Sequence, residues 1–396
     1  MLTRKNLFRT AFPRVLVVLL GITAVVEIGC CSTKRWQAPP EIQRPVDKAI
    51  QPLICRHRSI GIVVGVIKDN EYYTISYGKT RYPFGKTPNG DTIFEIGSIS
   101  KTFTGILLAR LVEEGLVKLD DAADRGMPSG CTLPAFEDRK ITFADLATHT
   151  SGLPRLPDDL EKTTGYNPAN PYAHYTEQNL YDFLARCTLS GKPGTRYEYS
   201  NLGMGLLGHL LGRISGNGYE NALIHYVTTP LGMKDTSITL SESQKNRVAQ
   251  GYSLFLDFDF VGLPTAVENW DLGVFAGAGG IRTSMNDMLK FLAANMDIGE
   301  NPIQSAVASS LQPRFEVNDR LRVGLAWHLA QLEDGSDILV VHDGGTGGYR
   351  SLIAFLRDKK IGIVVLSNSD ADINEAGLAI LASLAGLDVS LLKFQN

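Results

Sequence analysis

Two groups of strand-like segments at opposite ends of a 396-residue chain constrain this sequence more than any other feature. At the N-terminal end, "SIGIVVGVIKDNEYYTISYGK" reads as two apolar runs joined at Asp69-Asn70, residue types that tolerate the left-handed backbone of a tight hairpin. Near the C-terminus, "VGLAWHLAQLEDGSDILVVHDGG" supplies two more runs with a turn at Asp334-Gly335, and "YRSLIAFLRDKKIGIVVLSNS" another pair around Arg357 to Lys360. Connections this short leave no room for a crossover helix, so neighbouring strands must be antiparallel. The expectation is one antiparallel sheet to which the N-terminal hairpin adds strands, which makes the sheet part discontinuous in sequence.

Helical patterns fill the interval. From Lys101, apolar residues recur at Phe103, Ile106, Leu107, Leu111 and Val112, and Gly115 ends the run. "YSNLGMGLLGHLLGRISG" repeats that pattern up to Gly216, and Ser284 to Asp287 form a capping-box sequence ahead of "MLKFLAANM". "NEAGLAILASLAGL" predicts a closing helix able to cover one sheet face. The fold class is therefore α+β: an antiparallel sheet flanked by helices, from residues 45–110 and 310–396, plus a mainly helical part from 111–309. No internal repeat is present.

The first 32 residues read differently. Arg4, Lys5, Arg9 and Arg14 precede an apolar run from Val15 to Val26, the layout of a signal peptide and short for a membrane span of about 20 residues. Gly29-Cys30 resembles the end of a lipoprotein cleavage box, although Glu27 stands where an aliphatic residue is expected. Export to the periplasm or cell envelope is the expectation. Lipidation at Cys30, cleavage after a nearby small residue and an uncleaved membrane anchor are its alternative forms. A net charge of −3 with scattered Lys and Arg leaves no electrostatic footprint for nucleic acid. Cys55, Cys131 and Cys187 form no disulfide framework, and the seven histidines show no ligand spacing, so no metal or cofactor is expected.

Three short stretches carry chemistry. In "FEIGSISKTFTG", Ser98 and Lys101 are three apart and share a face of any helix they begin. A serine needs a neighbouring base to become a nucleophile, and a lysine serves only if burial or a nearby cation lowers its pKa. Alternatively, Ser98 merely caps the helix. Tyr199 and Asn201 in "YEYSNLG" enter a glycine-rich helix, where a phenol can join the proton network and an amide can orient a substrate carbonyl. They can equally be a half-buried aromatic and a helix-starting Asn. Finally, "VVHDGGTGG" ends an apolar strand in His342-Asp343-Gly344-Gly345, where small residues allow close approach of a substrate backbone and a cationic side chain can hold a carboxylate. The alternative is a strand running into a flexible turn.

Ser-x-x-Lys, Tyr-x-Asn and a basic residue-x-Gly in this order resemble the boxes of the penicillin-recognising serine hydrolases, the class C β-lactamases and related D-alanyl-D-alanine carboxypeptidases. "ITFADLATHTSGLP", "PLGMKDTS", "GAGGIRTSMNDM" and "VGLAWHL" resemble further segments of that family, so the likeness covers residues 45–396 as one catalytic domain. It implies a three-layer α/β/α fold with the site between sheet and helical parts. It also implies that Ser98 forms an acyl-enzyme, activated by Lys101 and Tyr199, with either as the base. Asn201 would orient the substrate amide. The backbone N–H groups of Ser98 and Gly345 would form the oxyanion hole, a contribution of about 3–4 kcal/mol per donor. Gly344 and His342 belong to the substrate edge. The implied partner is a β-lactam or a peptidoglycan stem peptide, and the implied activity is hydrolysis of its amide bond.

One departure stands out. His342 occupies the position that usually holds Lys, and an unperturbed His is charged only below a pH of about 6.5. Arg350 could supply the missing cation, but the expectation is that it pairs elsewhere. The departure keeps a carboxylesterase of the same family as the rival reading. A non-catalytic β-lactam sensor is disfavoured because all three boxes are present. An α/β-hydrolase is excluded because no G-x-S-x-G elbow occurs and the sheet reads antiparallel.

Overall fold

In β1 (Gly61–Lys68) and β2 (Glu71–Gly78), the hairpin turns exactly where the sequence places it, with Asp69 and Asn70 both at positive φ of 53° and 67°. This computed structural model describes residues 38–56, 58–254, 256, 257, 260, 261 and 264–392. The leader, including Cys30, lies outside the described residues.

The remaining sheet strands are β3 (Phe315–Glu316), β4 (Leu321–Val323), β5 (His328–Gln331), β6 (Ile338–Gly345), β7 (Arg350–Leu356) and β8 (Ile361–Ser367). All eight join one antiparallel sheet in the order β3-β4-β5-β6-β7-β8-β1-β2. The N-terminal hairpin enters through β1 against β8, with Ile62 opposite Ser367. The expected discontinuous sheet is therefore what the chain builds, with helices packed on both of its faces.

Strand alternation sorts the side chains into two cores. Ile62, Val64, Val66, Val341, Leu352 and Val365 pack on one face with helices α1 (Pro40–Cys55) and, at the other end of the sequence, Asn374–Ala385. Val63, Ile67, Val340, Ile353 and Val364 face the opposite core with helices α2 (Ser100–Glu113), α3 (Asn201–Ile214) and α4 (Met285–Asn295). The C-terminal helix Asn374–Ala385 is α5. Because both faces are covered, the interiors of β1, β7 and β8 are apolar instead of alternating with polar residues, which are confined to strand ends.

Helix α2 is the buried axis of the helical part, with every residue from Ser100 to Ala109 buried. Phe103 stacks on Phe291 of α4 at 3.8 Å between ring centres. Gly115 and Gly216, both left-handed, follow the ends of α2 and α3 as the sequence indicates. Helix α1 was not foreseen, because Pro45 and Pro52 interrupt its pattern. Ile42, Val46 and Ile50 nevertheless form one stripe against the sheet, and burying each contributes roughly 1.5–3 kcal/mol. The box before α4 is only half made. Ser284 accepts from the Asp287 backbone N–H at 3.3 Å, but the Asp287 carboxylate accepts from the Asp235 N–H and Lys290 instead of closing back.

Candidate active site

The stretch Gly97–Ile99 forms a single tight turn before α2, so Ser98 precedes the helix and does not cap it. Gly97 has φ 48°, and a Cβ there would lie 2.6 Å from the Gly345 nitrogen. A Cβ on Gly344 would lie 2.1 Å from the Ile96 carbonyl oxygen and 2.9 Å from the Ser98 nitrogen. The two glycine boxes thus press the Ser98 turn directly against the end of β6. The bare backbone of Gly344 accommodates the protein's own chain. The end of β6 is also left without a neighbour on one side by strand length. β6 pairs with β5 only from Ile338 to Val341, whereas its pairing with β7 continues to Gly345. Residues 342–345 extend past β5.

The polar residues of "SISKTFT" tie α2 to the segment 277–281. Ser100 Oγ accepts from the Ile281 N–H at 3.1 Å, and Thr104 Oγ1 donates to the Gly277 carbonyl at 2.7 Å. Lys101 is fully buried; its Nζ donates to Ser98 Oγ at 2.9 Å and to the Ala278 carbonyl at 2.6 Å. Burial holds the Lys101 ammonium well below the ordinary lysine range, and the positive charge of Arg155 pushes the same way against an opposing pull from Asp343. No acidic side chain bonds to it among the described residues.

Tyr199 and Asn201 are placed by a second strap. His149 Nδ1 accepts from the Ser200 N–H at 3.1 Å, Ser200 Oγ donates to the Pro154 carbonyl at 2.7 Å, and the Leu202 N–H donates to the Arg155 carbonyl at 3.1 Å. Ser200 also caps α3 by accepting from the Gly203 N–H at 2.8 Å. Tyr199 lies on His149, ring centres 4.5 Å apart. Lys101 Nζ is 5.0 Å and the Arg155 guanidinium 5.1 Å from the Tyr199 ring centre. Burial raises the phenol's pKa, and the nearby Ser98 hydroxyl is the first influence opposing it.

Three histidines are buried among the described residues: His149, His328 and His342. His342 stacks on His328 at 5.3 Å, and Tyr197 Oη lies 2.9 Å from His328 Nε2. His342 Nδ1 donates to the Asp343 carbonyl at 2.7 Å. Burial pushes His342 and His149 well below the usual histidine range and takes His328 down to about 4. His342 thus sits at the expected place but brings no standing cation at neutral pH. Asp343 turns to the opposite face and accepts from Asn374 at 3.2 Å. Arg350 spends its Nη1 on the carbonyls of Thr346 and Tyr349.

A pocket of about 310 Å³ opens over Ser98, walled by Tyr172, Trp270, Leu272 and Phe275 and edged by Asn201 and Gly345. Asn201 Oδ1 and Thr346 Oγ1 are buried there without a protein partner, as are His149 Nε2 and His342 Nε2 deeper in. Unpaired buried polar atoms are rare and mark places where a ligand or water completes the bonding. His149, Arg155 and the aromatic wall were not singled out from the sequence. The only signal was "ITFADLATHTSGLP", a stretch noted for its resemblance, which contains His149 and ends one residue before Arg155. Among the described residues, no group of three or more His, Cys, Asp or Glu side chains is arranged to hold a metal ion.

Comparison with known proteins gives a consistent picture. A family model described as Beta-lactamase matches residues 46–386. A Beta-lactamase from Pseudomonas fluorescens is 29% identical over 384 residues, covering 88% of this chain and 99% of its own. The D-alanyl-D-alanine-carboxypeptidase/endopeptidase AmpH of Escherichia coli (strain K12) is 27% identical over 344 residues, 81% of this chain and 82% of that protein. Among solved structures, the octameric penicillin-binding protein homologue from Pyrococcus abyssi superposes with a TM-score of 0.75 at 26% identity, over 87% of this chain and 78% of that one.

Proposed function

Because the chain belongs to the Beta-lactamase family and is a serine hydrolase, we propose that it is an exported enzyme forming an acyl-enzyme on Ser98. In this reading it hydrolyses the amide bond of β-lactams or of D-Ala-D-Ala peptides in the class C manner. The observation that carries it is the 2.9 Å bond between Ser98 Oγ and a wholly buried Lys101 that no acidic side chain neutralises.

A lysine held below its ordinary pKa supplies the lone pair, while a tyrosine held above its own keeps its proton, so Lys101 serves as base and Tyr199 as proton relay. The neutral amine keeps one N–H on the Ala278 carbonyl and takes the Ser98 proton as Oγ bonds to the substrate carbonyl carbon. The C–N bond then breaks, and the proton passes through Tyr199 to the leaving nitrogen. Water next attacks the ester and gives up a proton along the same path, releasing a carboxylic acid and free Ser98. The N–H groups of Ser98 and Gly345 hold the oxyanion, and Asn201 fills its unpaired Oδ1 from the substrate amide N–H.

A second reading, a carboxylesterase, is favoured by one observation: buried, neutral His342 leaves the third box without a carboxylate anchor. The test is to mix purified protein and its Ser98→Ala variant with a chromogenic cephalosporin and a short acyl ester, following absorbance and intact mass. Turnover of the cephalosporin that vanishes in Ser98→Ala supports a β-lactamase, and a stable adduct on Ser98 without turnover supports a carboxypeptidase. Ester cleavage with neither supports the esterase. Export rests on the basic and apolar leader. Cell fractionation of the protein and of Cys30→Ser tests it, since recovery in the cytosol would count against both export and lipidation.

A further inference from the structure

Arg155 follows the "HTSGLP" stretch and lies over the ring of Tyr199, its guanidinium carbon 5.1 Å from the ring centre. Unlike Arg139, Arg186, Arg247 and Arg282, it has no acidic partner among the described residues. Arg139 binds Asp145, Arg186 binds Asp158 and Asp159, Arg247 binds Asp235, and Arg282 binds Glu95. The acids nearest Arg155 in sequence, Asp158 and Asp159, are therefore already taken. Its side chain is exposed and makes no hydrogen bond or ion pair among the described residues.

Its backbone is nonetheless fixed. The Arg155 carbonyl accepts from the Leu202 N–H at 3.1 Å, next to Asn201, the residue that faces the pocket with an unpaired oxygen. The guanidinium's field also reaches Tyr172 of the pocket wall. The two other basic groups near the opening are committed or silent. Arg350 clamps the turn after Gly345, and His342 is buried against His328. A planar donor fork without an acidic partner, held over Tyr199 and anchored through its backbone next to Asn201, fits a carboxylate.

We propose that Arg155 is a substrate-binding residue that recognises a carboxylate on the acyl arm of the substrate, the arm that passes Asn201 and Tyr172. The inference rests on acylation of Ser98 and deepens that reading by giving the acyl group a negative charge. It moves anion recognition away from the third box to the side of the site that holds Tyr199.

The experiment compares p-nitrophenyl butyrate with p-nitrophenyl hemisuccinate, whose acyl arm ends in a carboxylate. Both need only a serine hydrolase, so the comparison does not depend on β-lactam or peptide being the substrate. Arg155 also biases the Lys101 and Tyr199 protons, but that effect falls on both esters equally and cancels in their ratio. In Arg155→Gln, kcat/KM for the hemisuccinate should fall about tenfold more than for the butyrate, with the difference shrinking in high salt. Arg155→Lys should restore part of the preference. Equal losses for the two esters, or no loss, would overturn the assignment while leaving the acyl-enzyme reading intact. If the wild-type protein cleaves neither ester, or cleaves them equally well in Ser98→Ala, the acylation reading fails and this inference falls with it.

Discussion

Lys101 Nζ stands 2.9 Å from Ser98 Oγ and is held there by a second bond, 2.6 Å long, to the carbonyl of Ala278 on another segment. The amine is thus aimed from two sides, and burial makes its neutral form the favoured one. Lys101→Met keeps the length of the side chain and removes both the lone pair and the donors. It should lower kcat/KM by about a thousandfold on any substrate that acylates Ser98. Burst-phase kinetics should place the loss in acylation. A loss below tenfold would mean that Tyr199 alone activates the serine.

The tyrosine is aimed by His149, whose ring lies against it at 4.5 Å and whose Nδ1 bonds the neighbouring backbone. His149 has φ 59°, a left-handed conformation that Asn tolerates best among non-glycine residues. His149→Asn therefore preserves the backbone and deletes the ring. With Tyr199 free to tilt, kcat should fall by about ten- to a hundredfold with a much smaller change in KM. His149→Phe, which keeps a ring but loses the Nδ1 acceptor, should recover part of kcat. A rise in KM alone would show that the ring serves binding and not alignment.

Much of this architecture was legible in the sequence because its signals are local. Asp69-Asn70 reads as a turn from two residues, and Ser98 and Lys101 meet because a helical turn brings i and i+3 together. What the sequence could not expose depends on distant partners. His149 and Tyr199 are 50 positions apart and meet only through the strap at Ser200 and Leu202. Arg155 gains meaning only once Asp158 and Asp159 are seen to bind Arg186. Helix α1 was hidden by Pro45 and Pro52, whose local cost the buried stripe of Ile42, Val46 and Ile50 overcomes. Asp287 was misread as a capping partner because Asp235, which claims its carboxylate, lies 52 residues away.

Gly344 reports how tightly the sheet holds the nucleophile. An added Cβ would meet the Ile96 carbonyl oxygen at 2.1 Å, and backbone cannot move aside as a flexible side chain can. Gly344→Ala should push the Ser98 turn from the end of β6 and open the N–H pair of Ser98 and Gly345. The expected result is a stability loss of about 1–3 kcal/mol in denaturant unfolding. With it should come a fall in kcat of about a hundredfold or more. A variant that loses stability but keeps kcat would separate the glycine's packing role from the oxyanion hole.

The three stacked or neighbouring histidines make a prediction about acid stability. His149, His328 and His342 are each buried, and burial lowers the folded-state pKa of all three. Facing them are Lys101 and Arg155, which oppose protonation, and Asp343, which favours it on His328. The unfolded chain binds protons at these sites from a pH of about 6.5 downward, while the folded chain does not. Folded stability that is full above that pH must therefore decline as pH falls toward the folded values, which for His328 is about 4. Each site contributes a slope approaching 1.4 kcal/mol per pH unit. Urea unfolding between pH 8 and 5 should show little change above 7 and a steepening loss below 6. His328→Gln should make that loss shallower by about one proton. A flat profile down to pH 5 would mean that the folded protein protonates these histidines readily, and it would put the cation back on His342.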